Sequence, residues 1–372
     1  YSFLHISRPE IDLPEDVDIH SELVYVQGGS NLASFVADRV LIQEETDCYY
    51  VYRQKMGPIV QTGLVVCSGV DDYQSGVIKK HELTRADKEE DRVRHIDLLD
   101  ANDEPVFYTF RHDAQLDGLL KAVTTALPEY DFTTDDGVSH TLWVVSEQEI
   151  ITAFTSAFAA IPSLYVADGH HRSAAASRVR EMRKAANHSH SGFEEYNYFL
   201  TVIFPDTELN IMPYNRAVKD LNGHTLAEYM ALVSRCFEIT PLPASPETLQ
   251  RHIFGMYLDG KWYELSARED SFAEGDPVAR LDVSILQNNL LSPVLGVRNP
   301  RTDQRIHFVG GIRGVAELER LVDSGEFAVA FFLFHTTIAE LMELADAGMI
   351  MPPKSTWFEP KLRSGLFVHL LS

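Results

Sequence analysis

The sequence is short of cysteine, which excludes two common ways of stabilising a small domain. Three cysteines occur among 372 residues, Cys48, Cys67 and Cys236, and no pair has the Cys-x-x-Cys spacing of zinc or redox motifs. A small, odd number of cysteines argues against a disulfide framework and against a cysteine-bound zinc ion. It indicates a reducing compartment, and we therefore expect the protein in the cytoplasm.

Long apolar runs and positive charge are also scarce. The apolar run at residues 327–334 is far too short to cross a bilayer, so we expect no membrane association. Lysine and arginine number 32 against 55 aspartates and glutamates, which gives a formal net charge of −23 at pH 7. So acidic a surface repels nucleic acid, and any anionic ligand must be held in a local basic pocket.

The apolar content of the sequence is sufficient for two domains of mixed α and β structure. Apolar residues make up 45% of the chain, and its length exceeds that of one typical domain. The polar stretch NHSHSGFEEY is typical of a linker, so we predict an α+β fold with one domain over residues 1–190 and another over residues 191–372. Local signals include helix caps at Thr84 and Thr225 and a hairpin turn at Asp259-Gly260.

One short stretch carries most of the candidate chemistry, SLYVADGHHRSAAASRV at residues 163–179. An apolar strand pattern ends before Asp168 and an alanine-rich helix pattern follows, so residues 168–172 lie at a strand-to-helix junction. Unpaired N–H groups at a helix N-terminus favour anions, and Gly169 lets the backbone approach a ligand closely. Three further side chains add donors: His170, His171 and Arg172. This combination suits a di- or triphosphate.

Asp168 is the unusual member of this junction, because a carboxylate repels phosphates unless a cation intervenes. Its functional interpretations are to hold Mg²⁺ or to accept a proton from an attacking hydroxyl group. The structural alternative is that Asp168 caps the helix while the histidines pack or face solvent.

A second stretch, GVIKKHELTRADKEEDR, places His81 and Glu82 just ahead of a charged helix. A carboxylate there can be held at the mouth of a cleft, whereas the remaining charges are typical of a solvated helix face. Glu82 and His81 are therefore the candidate functional residues of this stretch.

Near the C-terminus, GMIMPPKST has the register of a phosphate-binding P-loop, but Pro353 stands where the second glycine is required. Proline has no N–H group to offer a phosphate, so the segment is not a Walker motif. We expect Lys354 to line a substrate pocket.

The two motifs YVADGHHRSAAA and KKHELTRADKEEDR together resemble a bacterial and archaeal family labelled as a domain of unknown function. The resemblance extends through YSFLHISRPEIDLP, LDVSILQNNLLSPVLG, FVGG and MPPKSTWFEPKLRSGL, and so covers essentially the whole chain. The family is more distantly similar to the ParB/sulfiredoxin-like superfamily, whose helix-opening boxes bind nucleotide phosphates, and to its free-serine kinases.

The resemblance implies a ParB/sulfiredoxin-like nucleotide-binding core with inserted elements, followed by a C-terminal α+β domain that contributes to the substrate cleft. It implies ATP or ADP with Mg²⁺ as cofactors and L-serine or a similar hydroxyl compound as substrate. Glu82 would be the base and Asp168 would assist transfer through Mg²⁺. Residues 169–172 would hold the phosphates, with His81 near the substrate. Many members have Thr-His-Arg where this chain reads Tyr-Asn-Arg at residues 214–216. The arginine is shared with the family, so the resemblance implies that Arg216 contacts the substrate.

Two other classes remain open beside a small-molecule kinase. A non-catalytic nucleotide-binding regulator of the ParB type predicts a DNA-binding element, and no helix-turn-helix with a basic recognition face is visible. A scaffold without activity would have no need of both a base and a phosphate box. Sulfiredoxin-like repair needs a cysteine in that box, where His170 stands instead.

Overall fold

The computed structural model describes residues 1–372. The chain forms two compact units, one made of Tyr1–Leu209 with Pro360–Ser372 and the other of Asn210–Glu359. Both units mix helices with β-sheets, as the α+β prediction requires. None of the helices combines the length and the apolar composition needed to cross a membrane.

The first unit is built on one large sheet. Its strands are β1 (Tyr49–Met56), β2 (Ile59–Gly69), β3 (Ile78–Lys79), β4 (Ala101–Asn102), β5 (Val106–Phe110), β6 (Tyr130–Thr133), β7 (Val138–Val145), β8 (Leu164–Asp168) and β9 (Tyr198–Pro205). Its helices are α1 (Leu4–Ser7), α2 (Glu22–Ala37), α3 (Val70–Ser75), α4 (Ala86–Leu99), α5 (Ala114–Val123), α6 (Gln148–Ala159) and α7 (His170–Ala186). Eight strands pair in the order β3-β8-β5-β9-β2-β1-β7-β6, and β3 with β8 and β5 with β9 are the parallel pairs.

The central strands of this sheet are apolar on both faces because helices and loops cover both sides. All five residues of β5 are buried, as are seven of the eight in β9. The core includes Val51, Leu64, Tyr108, Phe154 and Ile203, each at most 3% exposed. This packing fixes the positions of the strand ends, where the candidate site lies.

The second unit has its own antiparallel sheet. Its strands are β10 (Ile211–Met212), β11 (Tyr214–Val218), β12 (Phe237–Leu242), β13 (Ile253–Leu258), β14 (Lys261–Ala267), β15 (Ile306–Gly310), β16 (Val329–Phe332) and β17 (Trp357–Phe358). Its helices are α8 (Leu226–Val233), α9 (Asp282–Leu286), α10 (Gly314–Asp323) and α11 (Ile338–Asp346), with a π-helical turn at Gln287–Leu291. Six strands pair in the order β12-β14-β13-β16-β11-β15, and β10 pairs with β17.

The chain then returns to the first unit, where β18 (His369–Leu370) pairs with β4. The compact units therefore divide the chain at residue 209 and again at residue 360, rather than once at residue 190. The reason is β9, which lies between β5 and β2 and so belongs to the first sheet although it follows the polar loop.

Two of the three local signals predicted from the sequence are confirmed, and one is wrong. Thr225 caps α8 with a full capping box, and Asp259 and Gly260 both adopt positive φ in the β13–β14 turn, as predicted. The predicted cap at Thr84 is wrong. Arg85 occupies the N-cap of α4, and the Thr84 hydroxyl donates instead to the Glu89 carboxylate at 2.8 Å.

Candidate functional site

The junction of β8 and α7 has the geometry expected of an anion-binding helix start. Gly169, between them, has φ +98° and ψ 29°, a left-handed conformation that favours glycine. A Cβ there would also lie 3.1 Å from Cγ1 of Val106. No side chain caps α7, so the N–H groups of its first turn have no side-chain acceptor. The predicted strand-to-helix junction is confirmed, although the helix already begins at His170.

The parallel pairing of β3 with β8 brings Glu82 to this junction. Ile78 pairs with Leu164 and Lys79 with Tyr165, so the chain leaving β3 runs beside the end of β8. A carboxylate oxygen of Glu82 lies 3.9 Å from Nδ1 of His170, the first residue of α7. The two motifs separated in sequence thus meet at one edge of the sheet.

Two buried histidines, His81 and His170, lie next to Glu82. The rings of His81 and His170 meet edge to face with their centroids 4.4 Å apart, and both residues are buried. Nε2 of His170 and both ring nitrogens of His81 are buried without a hydrogen bond of good geometry. Because both rings are buried, they pack against neighbouring groups of the site and are poorly placed to contact a ligand that arrives from solvent.

The protonation of these histidines follows from their environment. Burial lowers the pKa of His81 to about 4, against the opposing charge of Asp168. Burial, together with the charges of His81, His171 and Lys80, holds the pKa of His170 well below its ordinary value. Both imidazoles are therefore neutral at pH 7 and do not supply positive charge to a phosphate.

His171 connects the two motifs through the backbone. Its Nε2 accepts a hydrogen bond of 3.0 Å from the N–H of Arg85, the N-cap of α4. Burial lowers the pKa of His171, with Arg85 adding to the effect, and this keeps the ring neutral so that Nε2 can accept. His171 thereby fixes the start of α4, and with it the segment that carries Glu82.

Arg172 is held by protein carboxylates. Its Nε and Nη2 lie 2.9 and 2.8 Å from Oε2 of Glu104. The same carboxylate lies 3.5 Å from Nη1 of Arg92 and accepts from the Ser364 hydroxyl at 3.1 Å. A phosphate at the first turn of α7 would share this guanidinium with Glu104.

A small cavity of about 20 Å³ adjoins Arg172; most of its lining is apolar, and it has room for about one water molecule. It is lined by Arg92, Glu104 and the buried pair of His95 and Asp103, whose Nε2 and Oδ2 are 3.2 Å apart. This cavity is far too small for a nucleotide, whereas the side chains of Glu82 and Asp168 are partly exposed.

Asp168 has a partner that the sequence analysis missed. Nζ of Lys361 lies 2.7 Å from its Oδ2, across 193 residues of sequence. Burial raises the pKa of Asp168, but Lys361, Arg172 and the N–H of Gly169 lower it further, so the net shift is downward and the carboxylate is ionised. No local pattern marks Lys361. It lies in the stretch MPPKSTWFEPKLRSGL, in which Lys354 is the predicted substrate residue.

The remaining predicted substrate residues, Arg216 and Lys354, lie in the second unit. Arg216 is 3% exposed on β11, donates to the carbonyls of Tyr214 and Lys354, and contacts the ring of Phe308. Burial lowers its pKa to about 10. The structure thus brings Arg216 and Lys354 together with each other, and their contact with substrate remains a prediction.

The donor set for a metal ion is sparse. No three His, Cys, Asp or Glu side chains lie together in an arrangement that could hold one. Mg²⁺ typically takes one or two protein carboxylates and fills its other positions with water and substrate phosphates, and the assignment of Asp168 to it stays a prediction.

Comparisons with known proteins give the chain its relatives. No curated protein matches it. Among solved structures, it is similar to a Glu-to-Gln variant of a free serine kinase in complex with AMP, at 14% identity and a TM-score of 0.39 over 79% of this chain and 87% of the kinase. It is also similar to a conserved hypothetical protein from Pyrococcus furiosus, at 15% identity and a TM-score of 0.38 over 81% of this chain and 93% of that one. C-terminally truncated SbnI from Staphylococcus aureus matches at 12% identity and a TM-score of 0.41, over 82% of this chain and 87% of SbnI.

The family assignment rests on a match to a family model. Residues 1–284 match the family described as "Protein of unknown function (DUF1015)". This match spans more than half of the chain and confirms the family resemblance carried by the sequence motifs: the chain belongs to the DUF1015 family.

Proposed function

We propose that this protein is a nucleotide-dependent phosphotransferase that acts on a hydroxyl group of a small metabolite, with L-serine as the first acceptor to test. The observation that carries the proposal is the meeting of Glu82 with the uncapped start of α7, beside the ionised Asp168. A base, an anion site and a carboxylate for a cation are the parts that phosphoryl transfer requires.

The phosphate chain of ATP or ADP would lie next to Gly169 on the first-turn N–H groups of α7, which no side chain caps. Arg172 adds positive charge from the side of Glu104. Because His81 and His170 are buried and neutral, they contribute packing beneath the site rather than charge.

Glu82 is the base in this proposal. The acceptor hydroxyl gives its proton to the Glu82 carboxylate, and the oxygen forms a bond to the terminal phosphorus of the nucleotide. The bond from that phosphorus to its bridging oxygen breaks, and ADP leaves if ATP is the donor, or AMP if ADP is the donor. The neutral ring of His170 lies beside Glu82, with 3.9 Å between Nδ1 and a carboxylate oxygen.

Asp168 is the residue that would hold Mg²⁺, which neutralises the charge of the phosphates when it is bound. Without that ion, Asp168 would repel the nucleotide. We therefore expect nucleotide affinity to depend on both Mg²⁺ and Asp168.

The test is phosphate transfer from ATP and from ADP, each with Mg²⁺, to a panel of free amino acids headed by L-serine. The products are followed by phosphorus NMR. We expect a phosphorylated acceptor with wild-type protein and a loss of at least about 100-fold in rate with Asp168→Asn. The matched control is Asp117→Asn, which removes a partly exposed carboxylate on α5 that pairs with Lys121.

Transfer that is unaffected by Asp168→Asn would contradict the assigned role of the carboxylate. Tight nucleotide binding without a product from any acceptor would instead favour the non-catalytic nucleotide-binding regulator.

A further inference from the structure

The C-terminal segment at residues 360–372, here called the strap, delivers a lysine to the junction of β8 and α7. It leaves the second unit and lies on the first, where β18 pairs with β4 and Phe367 packs against Tyr52 at 5.5 Å between ring centroids. Near its beginning, Lys361 forms its ion pair with Asp168.

Two buried glutamines fix the backbone of the strap at this lysine. Gln54 and Gln61 face each other across β1 and β2, are at most 1% exposed, and are joined by a hydrogen bond of 2.7 Å. The Gln54 amide donates to the carbonyl of Lys361 at 2.7 Å, and the Gln61 amide donates to that of Pro360 at 3.2 Å. Burying an amide costs free energy unless the amide is hydrogen-bonded. These hydrogen bonds therefore fix the position of the backbone at Pro360 and Lys361.

The strap contacts the junction at a second point. The hydroxyl of Ser364 donates to Oε1 of Glu104 at 3.1 Å, and Glu104 holds the Arg172 guanidinium. The strap thus contacts Asp168 directly and Arg172 through one carboxylate.

The ion pair itself contributes little to stability. The side chains of Lys361 and Asp168 are 42% and 44% exposed, and water and salt screen ion pairs that are so accessible to solvent. An ammonium group has three donors, so one of them can turn from Asp168 to a phosphate oxygen. The junction needs such a cation, because its buried histidines are neutral and Arg172 is already shared with Glu104.

We propose that Lys361 is a phosphate-binding residue of this site: its ammonium pairs with Asp168 in the free protein and contacts a phosphate oxygen in the nucleotide complex. The inference rests on the proposed function only in taking the ligand to be a nucleotide. It does not require that transfer occurs.

The experiment is titration calorimetry of the full-length protein with ATP plus Mg²⁺ and, separately, with adenosine. Lys361→Met removes the charge and keeps most of the length, whereas Lys361→Arg keeps the charge. The control is Arg363→Met, which removes the neighbouring strap cation that pairs with Asp136. Thermal unfolding checks that each variant is folded.

We expect Lys361→Met to weaken ATP binding about 10- to 100-fold, the effect of losing one hydrogen bond to a charged group. Adenosine affinity should stay within about twofold, Lys361→Arg should retain most ATP affinity, and Arg363→Met should match the wild type. A purely structural strap would change ATP and adenosine binding alike.

Wild-type ATP affinity in Lys361→Met, or an equal loss of ATP and adenosine affinity, would overturn the proposal. Lys361-dependent ATP binding without transfer to any acceptor would support it while contradicting the proposed function. Transfer by Lys361→Met with an unchanged KM for nucleotide would support the proposed function and contradict the role of Lys361.

Discussion

Nε2 of His171 accepts a hydrogen bond from the backbone N–H of Arg85, and this bond joins α7 to the start of α4. Glu82, the proposed base, lies three residues before Arg85, so its position depends on this contact of His171. The two motifs are therefore mechanically coupled.

Replacing His171 should loosen that coupling. We expect His171→Ala to cost about 0.5–1.5 kcal/mol of stability, the usual worth of one hydrogen bond. It should also speed hydrogen exchange at the amides of residues 85–90. The measurements are urea denaturation and native-state exchange, with His188→Ala in the exposed polar loop as control. Unchanged exchange at those amides would show that the contact does not fix α4.

Gly169 provides a second prediction. Gly169→Ala should destabilise the protein by about 1–3 kcal/mol and weaken ATP binding, because alanine is strained at φ +98° and meets Val106. Gly118→Ala is the matched control, since Gly118 lies within α5 and a Cβ there meets nothing within 4 Å. The control should be neutral or more stable by up to about 1 kcal/mol. Equal denaturation midpoints for the two variants would refute this account of the junction.

The burial of His81 predicts an acid-sensitive fold. Its pKa is about 4 in the folded protein and near its ordinary value of 6.5 when unfolded, so the unfolded state binds more protons between these values. Its contribution to stability is complete above pH 6.5 and is lost as the pH falls towards 4. The shift corresponds to about 3 kcal/mol.

His81→Gln should therefore remove that part of the acid destabilisation. We expect the stability difference between wild type and variant to change by about 2–3 kcal/mol between pH 7 and pH 4.5, in urea denaturation at each pH. A difference that does not depend on pH would mean that His81 titrates normally.

The burial of Asp282, at the start of α9, predicts that stability falls as the pH rises, the opposite of the trend expected from His81. Burial and the nearby Glu340 raise its pKa to about 7, against the N–H of His252, which donates to Oδ1 at 3.0 Å, and against Arg251. The folded state then holds a proton that the unfolded state loses above pH 4, so stability falls as the pH rises from 4 to 7.

Asp282→Asn keeps the acceptor for His252 and removes the buried charge. We expect a gain of about 1–3 kcal/mol at pH 8 that disappears near pH 4. The exposed Asp270→Asn should show neither effect. An Asp282→Asn variant no more stable than wild type at pH 8 would contradict the assigned burial.

The local parts of the site could be predicted from the sequence, because they depend on neighbours in the chain. The strand ending at Asp168 and the helix after it both follow from the apolar pattern of the sequence, whereas the left-handed conformation of Gly169 is seen only in the structure. The Thr84 cap was wrong because its hydroxyl has a competing partner in Glu89, five residues along the same segment.

The long-range parts could not be predicted, because no local pattern encodes them. β3 has two residues, too few for a periodicity, yet its pairing with β8 places Glu82 at the junction. Lys361 reaches Asp168 only because the chain returns to the first unit after residue 359. The boundary at residue 190 missed β9 for the same reason, since strand order in a sheet is a tertiary property.

The most direct test of the central claim is the turnover of Glu82→Gln with saturating nucleotide, Mg²⁺ and acceptor, beside its ATP affinity. Glu90→Gln, on the exposed face of α4, is the matched control. If Glu82 is the base at a phosphate-binding helix start, the variant should lose about 100- to 10,000-fold in kcat and keep ATP affinity within a few-fold. Wild-type kcat in Glu82→Gln would contradict the account.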